Sequence, residues 1–293
     1  MWAGCLTALV TPFRNGALDL GALEKLVEQQ IAGGINGLVP CGSTGESATL
    51  THDEHIEVVK AVIRFARGRT PVIAGTGSNS TAEAIRLTRA AEDAGATGAL
   101  LLSPYYNKPT QEGIYEHYAA VAEATKLPIL LYNIPGRTAS NILPETIARL
   151  SRIRNVVGVK EASGSIAQVI EIVASVEPGF TVYAGDDVTI LPIMAVGGAG
   201  GICVSSNVAP RRFVQLTDAL LAGDLAGARR MSTELLPLVR ALTMSFEVNP
   251  IPVKTAMKLL GRDTGDLRLP LCSLDAAGEA RIAQSLRAYG LTV

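Results

Sequence analysis

Eight short apolar runs, most of them followed by an amphipathic segment of helical period, set the tightest limit on how this chain can fold. The runs are residues 5–10, 37–41, 72–75, 99–102, 129–132, 156–160, 181–184 and 201–204. Between them, segments such as 20–32, 53–66, 82–94, 111–124, 144–150 and 166–176 carry apolar side chains at helical spacing. Strands apolar on both faces belong to a parallel sheet with helices covering it. Eight β-then-α units in about 220 residues therefore predict a closed (β/α)8 TIM barrel of the α/β class. An open doubly wound sheet is the competing arrangement. It calls for a GxGxxG turn after the first strand, and Val10-Thr11-Pro12-Phe13 offers nothing like one.

The alternation stops after Gly223. Residues 226–242, 252–260 and 275–289 read as three helices, the second introduced by Asn249-Pro250-Ile251-Pro252, whose prolines suit a helix start. The chain is thus divided into a catalytic barrel, residues 1–224, and a C-terminal three-helix extension, residues 225–293. The extension is expected to pack outside the barrel or against a neighbouring subunit rather than to contribute chemistry.

Composition narrows the partners. With 293 residues, 48% hydrophobic and 18% charged, the chain can bury a large core. A net charge of -1 and a pI near 6.3 leave no basic stripe for nucleic acid or an anionic membrane. No apolar run approaches the roughly 18 residues that a bilayer span needs. Cys5, Cys41, Cys203 and Cys272 form no CxxC pair, so neither a disulfide framework nor a thiolate metal site is indicated. A reducing cytoplasm fits. Met1-Trp2-Ala3-Gly4-Cys5 looks like a lipoprotein processing site, but no basic or apolar leader precedes the cysteine, and export is not expected.

A barrel of this kind places its active site at the carboxyl ends of its strands. There the polar residues gather: Gly42-Ser43-Thr44-Gly45-Glu46, Ser103-Pro104-Tyr105-Tyr106-Asn107, Tyr132-Asn133-Ile134-Pro135-Gly136-Arg137, Lys160-Glu161 and Gly185-Asp186-Asp187. Lys160 ends the apolar run of the sixth strand. An amine emerging from a buried strand into a pocket is disfavoured as ammonium and can attack a carbonyl as the free base, although most strand-end lysines simply reach for solvent. Tyr132 ends the adjacent fifth strand, where a phenol can exchange protons with that amine; a lone strand tyrosine is more often core. The Gly42–Glu46 turn offers hydroxyls and backbone N–H groups to a small carboxylate, or is an ordinary glycine turn. Arg137 suits a second carboxylate by bidentate contact, or is a surface arginine. His52 and His55, three apart with no third histidine nearby, read as solvated rather than as metal ligands. Gly197–Gly201 is either a phosphate cradle or tight packing before the eighth strand.

Taken together, these motifs, with Tyr105-Tyr106-Asn107-Lys108-Pro109, Val159-Lys160-Glu161-Ala162-Ser163 and Asn249-Pro250-Ile251-Pro252-Val253-Lys254, resemble the dihydrodipicolinate synthase family of class I pyruvate-dependent aldolases over essentially the whole chain. The resemblance implies a Schiff base between Lys160 and pyruvate. Aldol addition to L-aspartate-4-semialdehyde and cyclisation to 4-hydroxy-tetrahydrodipicolinate would follow, with no metal or organic cofactor. It assigns Thr44 to the pyruvate carboxylate, Tyr132 to proton transfer, and Ser43, Tyr132 and Tyr106 to a proton relay, with Tyr106 supplied by a neighbouring subunit. It gives Arg137 the semialdehyde carboxylate and makes Gly185 and Ile202 line the pocket through backbone atoms. Ser47, Ala48, His52, His55, Asn79, Glu83 and Tyr105 match a feedback site for L-lysine. A homo-oligomer is implied, at least a dimer and more fully a tetramer built as a dimer of dimers. Ser43 departs from the family's usual threonine, and Gly-Ser-Thr-Gly-Glu is also usual in N-acetylneuraminate lyases. That enzyme, or another pyruvate-dependent aldolase, is the alternative; Arg137 and Tyr105–Pro109 favour the synthase.

Overall fold

In the computed structural model, which describes residues 2–244, 247–262 and 264–293, every one of the eight apolar runs overlaps a strand. These are β1 Gly4–Ala8, β2 Gly37–Val39, β3 Ile73–Gly75, β4 Gly98–Leu102, β5 Ile129–Asn133, β6 Val156–Glu161, β7 Thr181–Ala184 and β8 Gly200–Cys203. They pair in parallel in the order β2-β1-β8-β7-β6-β5-β4-β3, and a parallel bridge between Leu38 and Val72 joins the two ends. The sheet is a closed barrel.

Helices α1 Leu20–Ala32, α2 His52–Ala66, α3 Thr81–Asp93, α4 Gln111–Glu123, α5 Pro144–Leu150, α6 Ile166–Ser175, α7 Ile190–Ala195 and α8 Pro210–Leu221 follow the strands in turn. Their starts are written in the sequence. Thr51 and Glu54 form a capping box on α2, and Ser80 caps α3 through the Glu83 amide. A hairpin of two-residue strands, Phe13–Arg14 with Ala17–Leu18, lies before α1 and is too short to leave a periodic signal.

Side chains alternate across the barrel wall as a pleated strand requires. Leu6, Ala8, Val39, Ile73, Leu100, Leu130, Tyr132, Tyr183 and Ile202 pack together inside, with Trp2 against them. Cys5, Leu9, Ile129, Leu131 and Val159 point outward into the layer shared with the helices. Cys5 is thus a fully buried strand residue. The glycine run before β8 serves packing: a Cβ on Gly200 would sit 1.9 Å from the Gly4 carbonyl oxygen. Among the described residues no helix is long and apolar enough to cross a membrane.

The C-terminal segment forms α9 Leu225–Leu242, α10 Ile251–Leu259 and α11 Ala276–Ala288. Helix α9 packs on α8 and α11, as an external appendage would. The expected packing outside the barrel does not extend to the stretch between α9 and α10, which reaches the cavity. That stretch brings Thr243, Val248 and Asn249 to the barrel mouth, where they line the same cavity as Lys160. The cause is an anchor at the start of α10: Lys254 is buried and donates to Glu46 Oε1 at 2.8 Å and to the Thr11 carbonyl at 3.0 Å. Its ammonium also lies 4.7 Å from the centre of the Phe13 ring, whose other close cation is Arg268 at 4.2 Å.

Candidate active site

Strand register does most of the assembly. Tyr132 on β5 is the direct partner of Lys160 on β6, and Lys160 is in turn the partner of Tyr183 on β7. Neighbours at the same level of a barrel present their side chains to the same face, so the amine and the phenol are brought together by the sheet itself. Lys160 Nζ lies 4.2 Å from the centre of the Tyr132 ring. Lys160 is 5% exposed and Tyr132 6%, at the floor of a cavity of about 240 Å³.

Ser43, Thr44, Arg137 and Gly185 line that same cavity. The Gly42–Glu46 turn closes on itself: the N–H groups of Gly45 and Ser47 donate to the Gly42 carbonyl and that of Glu46 to the Ser43 carbonyl. Three of its amides are therefore consumed within the turn, and the hydroxyls of Ser43 and Thr44 add to what the remaining amides offer an anion. Cys41 and Glu46, at either end of the turn, have left-handed backbone with φ of 56° and 54°. Glu46 does not face the cavity of Lys160; its carboxylate is consumed by Lys254 and by the Arg268 amide at 3.0 Å. Gly185 is required for space, since an added Cβ would lie 2.5 Å from the Ala162 Cβ, and its N–H donates to the Glu161 carbonyl at 2.7 Å.

Arg137 sits in a single helical turn, Pro135–Thr138, and its Nη2 donates to the Asn249 carbonyl at 3.0 Å. Glu161, beside the lysine, is buried and held by the Asn133 amide at 2.9 Å and the Ser163 N–H at 2.6 Å. Asp186 also lines the cavity; burial pushes its carboxyl above the usual range, against the opposing pull of Lys160 and Arg137. Asp187, fully enclosed, is likewise raised by burial while accepting from the Ser205 and Val204 N–H groups at 2.7 and 3.0 Å. It ties the loop after β7 to the loop after β8.

Three expected residues stand apart from this cluster. Ile202 is fully buried among the inner barrel side chains and does not line the cavity. Tyr106 is 87% exposed, with a left-handed φ of 73° that is unusual for a bulky residue. Its hydroxyl does not reach the cavity of its own chain. Asn79 lies outside a second, neighbouring cavity, its carbonyl accepting from Asn107 Nδ2 at 2.9 Å.

That neighbouring cavity, of about 440 Å³, is lined by Ser47, Ala48, His52, His55, Glu83 and Tyr105, and shares Ser43, Tyr132 and Arg137 with the first. Glu83 receives the Ser78 hydroxyl on one oxygen and meets His52 Nε2 with the other. The Ser78 hydroxyl, followed by His52, holds its carboxyl below the usual range. His55 donates from Nε2 to the Gly75 carbonyl at 2.7 Å, and burial lowers its tendency to take a second proton. Both histidines are thus engaged as hydrogen-bonding walls of the cavity.

Sequence reasoning passed over Thr243 and Asn249, which reach the site from the far end of the chain. The only available sign was the Asn249–Pro252 motif, which the pattern explains equally well as a helix start.

The dihydrodipicolinate synthetase family model matches residues 1–289. The curated 4-hydroxy-tetrahydrodipicolinate synthase of Nitratidesulfovibrio vulgaris is 54% identical over 291 residues, covering 99% of each chain. Among solved structures, dihydrodipicolinate synthase from Aquifex aeolicus superposes with a TM-score of 0.97 at 43% identity over 99% of each chain. A second, from Cyanidioschyzon merolae with lysine bound, gives 0.96 at 39% identity, again over 99% of each chain.

Proposed function

The chain belongs to the dihydrodipicolinate synthetase family, and on that premise we propose a mechanism in which Lys160 is the nucleophile and Tyr132 the proton carrier. The enzyme is a lyase of the class I aldolase type: it condenses pyruvate with L-aspartate-4-semialdehyde to 4-hydroxy-tetrahydrodipicolinate, in the diaminopimelate route to lysine. The N-acetylneuraminate lyase alternative is not favoured, since relatives that match nearly end to end are synthases.

In this reading the Lys160 amine adds to C2 of pyruvate, and loss of one water gives the iminium. A proton leaves C3 to form the enamine, whose carbon attacks the aldehyde of the second substrate. The product's own amino group then displaces Lys160 at C2, closing the ring and returning the free amine. Tyr132, whose ring lies beside Nζ, accepts and returns the protons. Thr44 holds the pyruvate carboxylate and Arg137 the semialdehyde carboxylate. Ser43 supplies the relay hydroxyl, and Tyr106, projecting into solvent from this chain, completes the relay of a neighbouring subunit in a dimer or tetramer. Gly185 shapes the pocket wall, and Ile202 supports it indirectly by packing in the inner barrel layer with Ala8, Val39 and Tyr132, which line the cavity. No step draws on a metal or organic cofactor. The four free cysteines are compatible with a reducing cytoplasm.

One observation carries the proposal: an amine and a phenol on adjacent strands share an enclosed cavity with a hydroxyl turn and an arginine. Arg137→Ala separates the two halves of the reaction. It should leave pyruvate adduct formation near wild type and raise the KM for the semialdehyde by about 100-fold, the scale of a lost charge-assisted bidentate contact. Equal damage to both half-reactions in steady-state and trapping assays would remove Arg137 from its assigned role.

L-lysine is the effector proposed for the second cavity, with Glu83 meeting its amine and Tyr105, Ser47, Ala48, His52 and His55 around it, while Asn79 lies outside the cavity in this chain. Millimolar L-lysine should inhibit, and Glu83→Ala should raise the half-inhibitory concentration by about 10-fold or more, as expected for losing a charge-assisted hydrogen bond. Activity insensitive to lysine across that range would dismiss the effector.

A further inference from the structure

Asn249 belongs to the extension, yet it touches both anion-holding groups of the site. Its side-chain Nδ2 donates to Thr44 Oγ1 at 3.0 Å, and its main-chain carbonyl accepts from Arg137 Nη2 at 3.0 Å. Its Oδ1 is buried without a hydrogen-bond partner among the described residues. A buried orphan acceptor is unfavourable and calls for a reason.

The reason lies in the direction of one hydroxyl. Thr44 has a single hydrogen to donate and two lone pairs to offer. With Nδ2 donating to one lone pair, the hydrogen is released toward the cavity. Turned end for end, the amide oxygen would capture that hydrogen and leave only lone pairs facing a bound carboxylate. We propose that Asn249 is a positioning residue for the keto-acid half of the reaction, holding the Thr44 hydroxyl as a donor to the pyruvate carboxylate. The inference rests on the reading of Thr44 given above. The main-chain contact to Arg137 does not depend on the side chain, so truncation of Asn249 affects one half of the reaction and spares the other.

The test is a double-mutant cycle on full-length enzyme, with KM for pyruvate and for the semialdehyde measured separately in wild type, Asn249→Ala, Thr44→Val and the double variant. Asn249→Ala should raise the pyruvate KM by about five-fold, the size of one net hydrogen bond, with the semialdehyde KM and thermal midpoint close to wild type. In the Thr44→Val background the same change should have no further effect on the pyruvate KM. Additive effects, equal shifts in both KM values, or no shift would overturn the proposal. Should Asn249→Ala fail to fold, the isosteric Asn249→Asp takes its place: it removes the donor, and its pyruvate-specific rise must shrink in the Thr44→Val background for the proposal to stand. Borohydride trapping of wild type with pyruvate keeps the two levels apart. Absence of an adduct defeats the functional reading itself, whereas an adduct with an unresponsive Asn249→Ala defeats only this inference.

Discussion

Lys160→Ala yields no borohydride-stable adduct with pyruvate and loses about 10⁴-fold or more in kcat, while folding normally. The magnitude follows from what is removed: among the described residues no other amine lines the cavity, so the covalent route is closed rather than slowed. The fold survives because the side chain faces the cavity, and its truncation leaves the backbone register with Tyr132 and Tyr183 untouched. Mass mapping of the wild-type adduct should place the added mass on the peptide carrying Lys160. An adduct on another lysine, or persistence of the adduct in Lys160→Ala, would refute the assignment. Lys254, the other buried lysine, is the informative control, since its ammonium is already committed to Glu46, Thr11 and Asp266.

The barrel was legible because its signals are local. A short continuous apolar run in β1 or β5 and a helical period in α1 or α2 each lie within one short window of sequence, and the caps at Thr51 and Ser80 are adjacent to the helices they start. The juxtaposition of Lys160 and Tyr132 was legible for a related reason: two residues near the ends of consecutive parallel strands meet whenever the strands pair in register. What escaped were contacts with no period and a long reach. Asn249 meets Thr44 across 205 positions, and Lys254 meets Glu46 across 208. Neither leaves a mark in a sliding window, so the extension looked peripheral while it was building one wall of the site. Glu46 was misplaced for the same reason. A glutamate after a glycine turn at a barrel mouth reads as chemistry, and only its distant lysine shows that it is an anchor.

That anchor gives the largest expected effect on stability. Lys254→Met should destabilise the protein by about 3–5 kcal/mol, the range for removing one partner of a buried ion pair. All three protons of the ammonium are used, on Glu46 Oε1 at 2.8 Å, the Thr11 carbonyl at 3.0 Å and the Asp266 carbonyl at 2.7 Å. Burial opposes the charge of Lys254, and Glu46 is the largest influence restoring it. With the lysine gone, Glu46 remains enclosed, and among the described residues the Arg268 N–H at 3.0 Å and the more distant attraction of the Arg268 guanidinium are left to stabilise its charge, which does not replace a direct buried ion pair. For a chain of this size the thermal midpoint should fall by roughly 6–20 °C. Because Glu46 terminates the turn bearing Ser43 and Thr44, the pyruvate KM should rise with the loss of stability, coupling a distant helix to the keto-acid pocket. The double variant Lys254→Met with Glu46→Gln should regain much of the midpoint, since no charge is then left buried alone. If the single variant instead melts within a degree of wild type, Glu46 must already be neutralised by another route, and the extension is held to the barrel by its apolar contacts rather than by this pair.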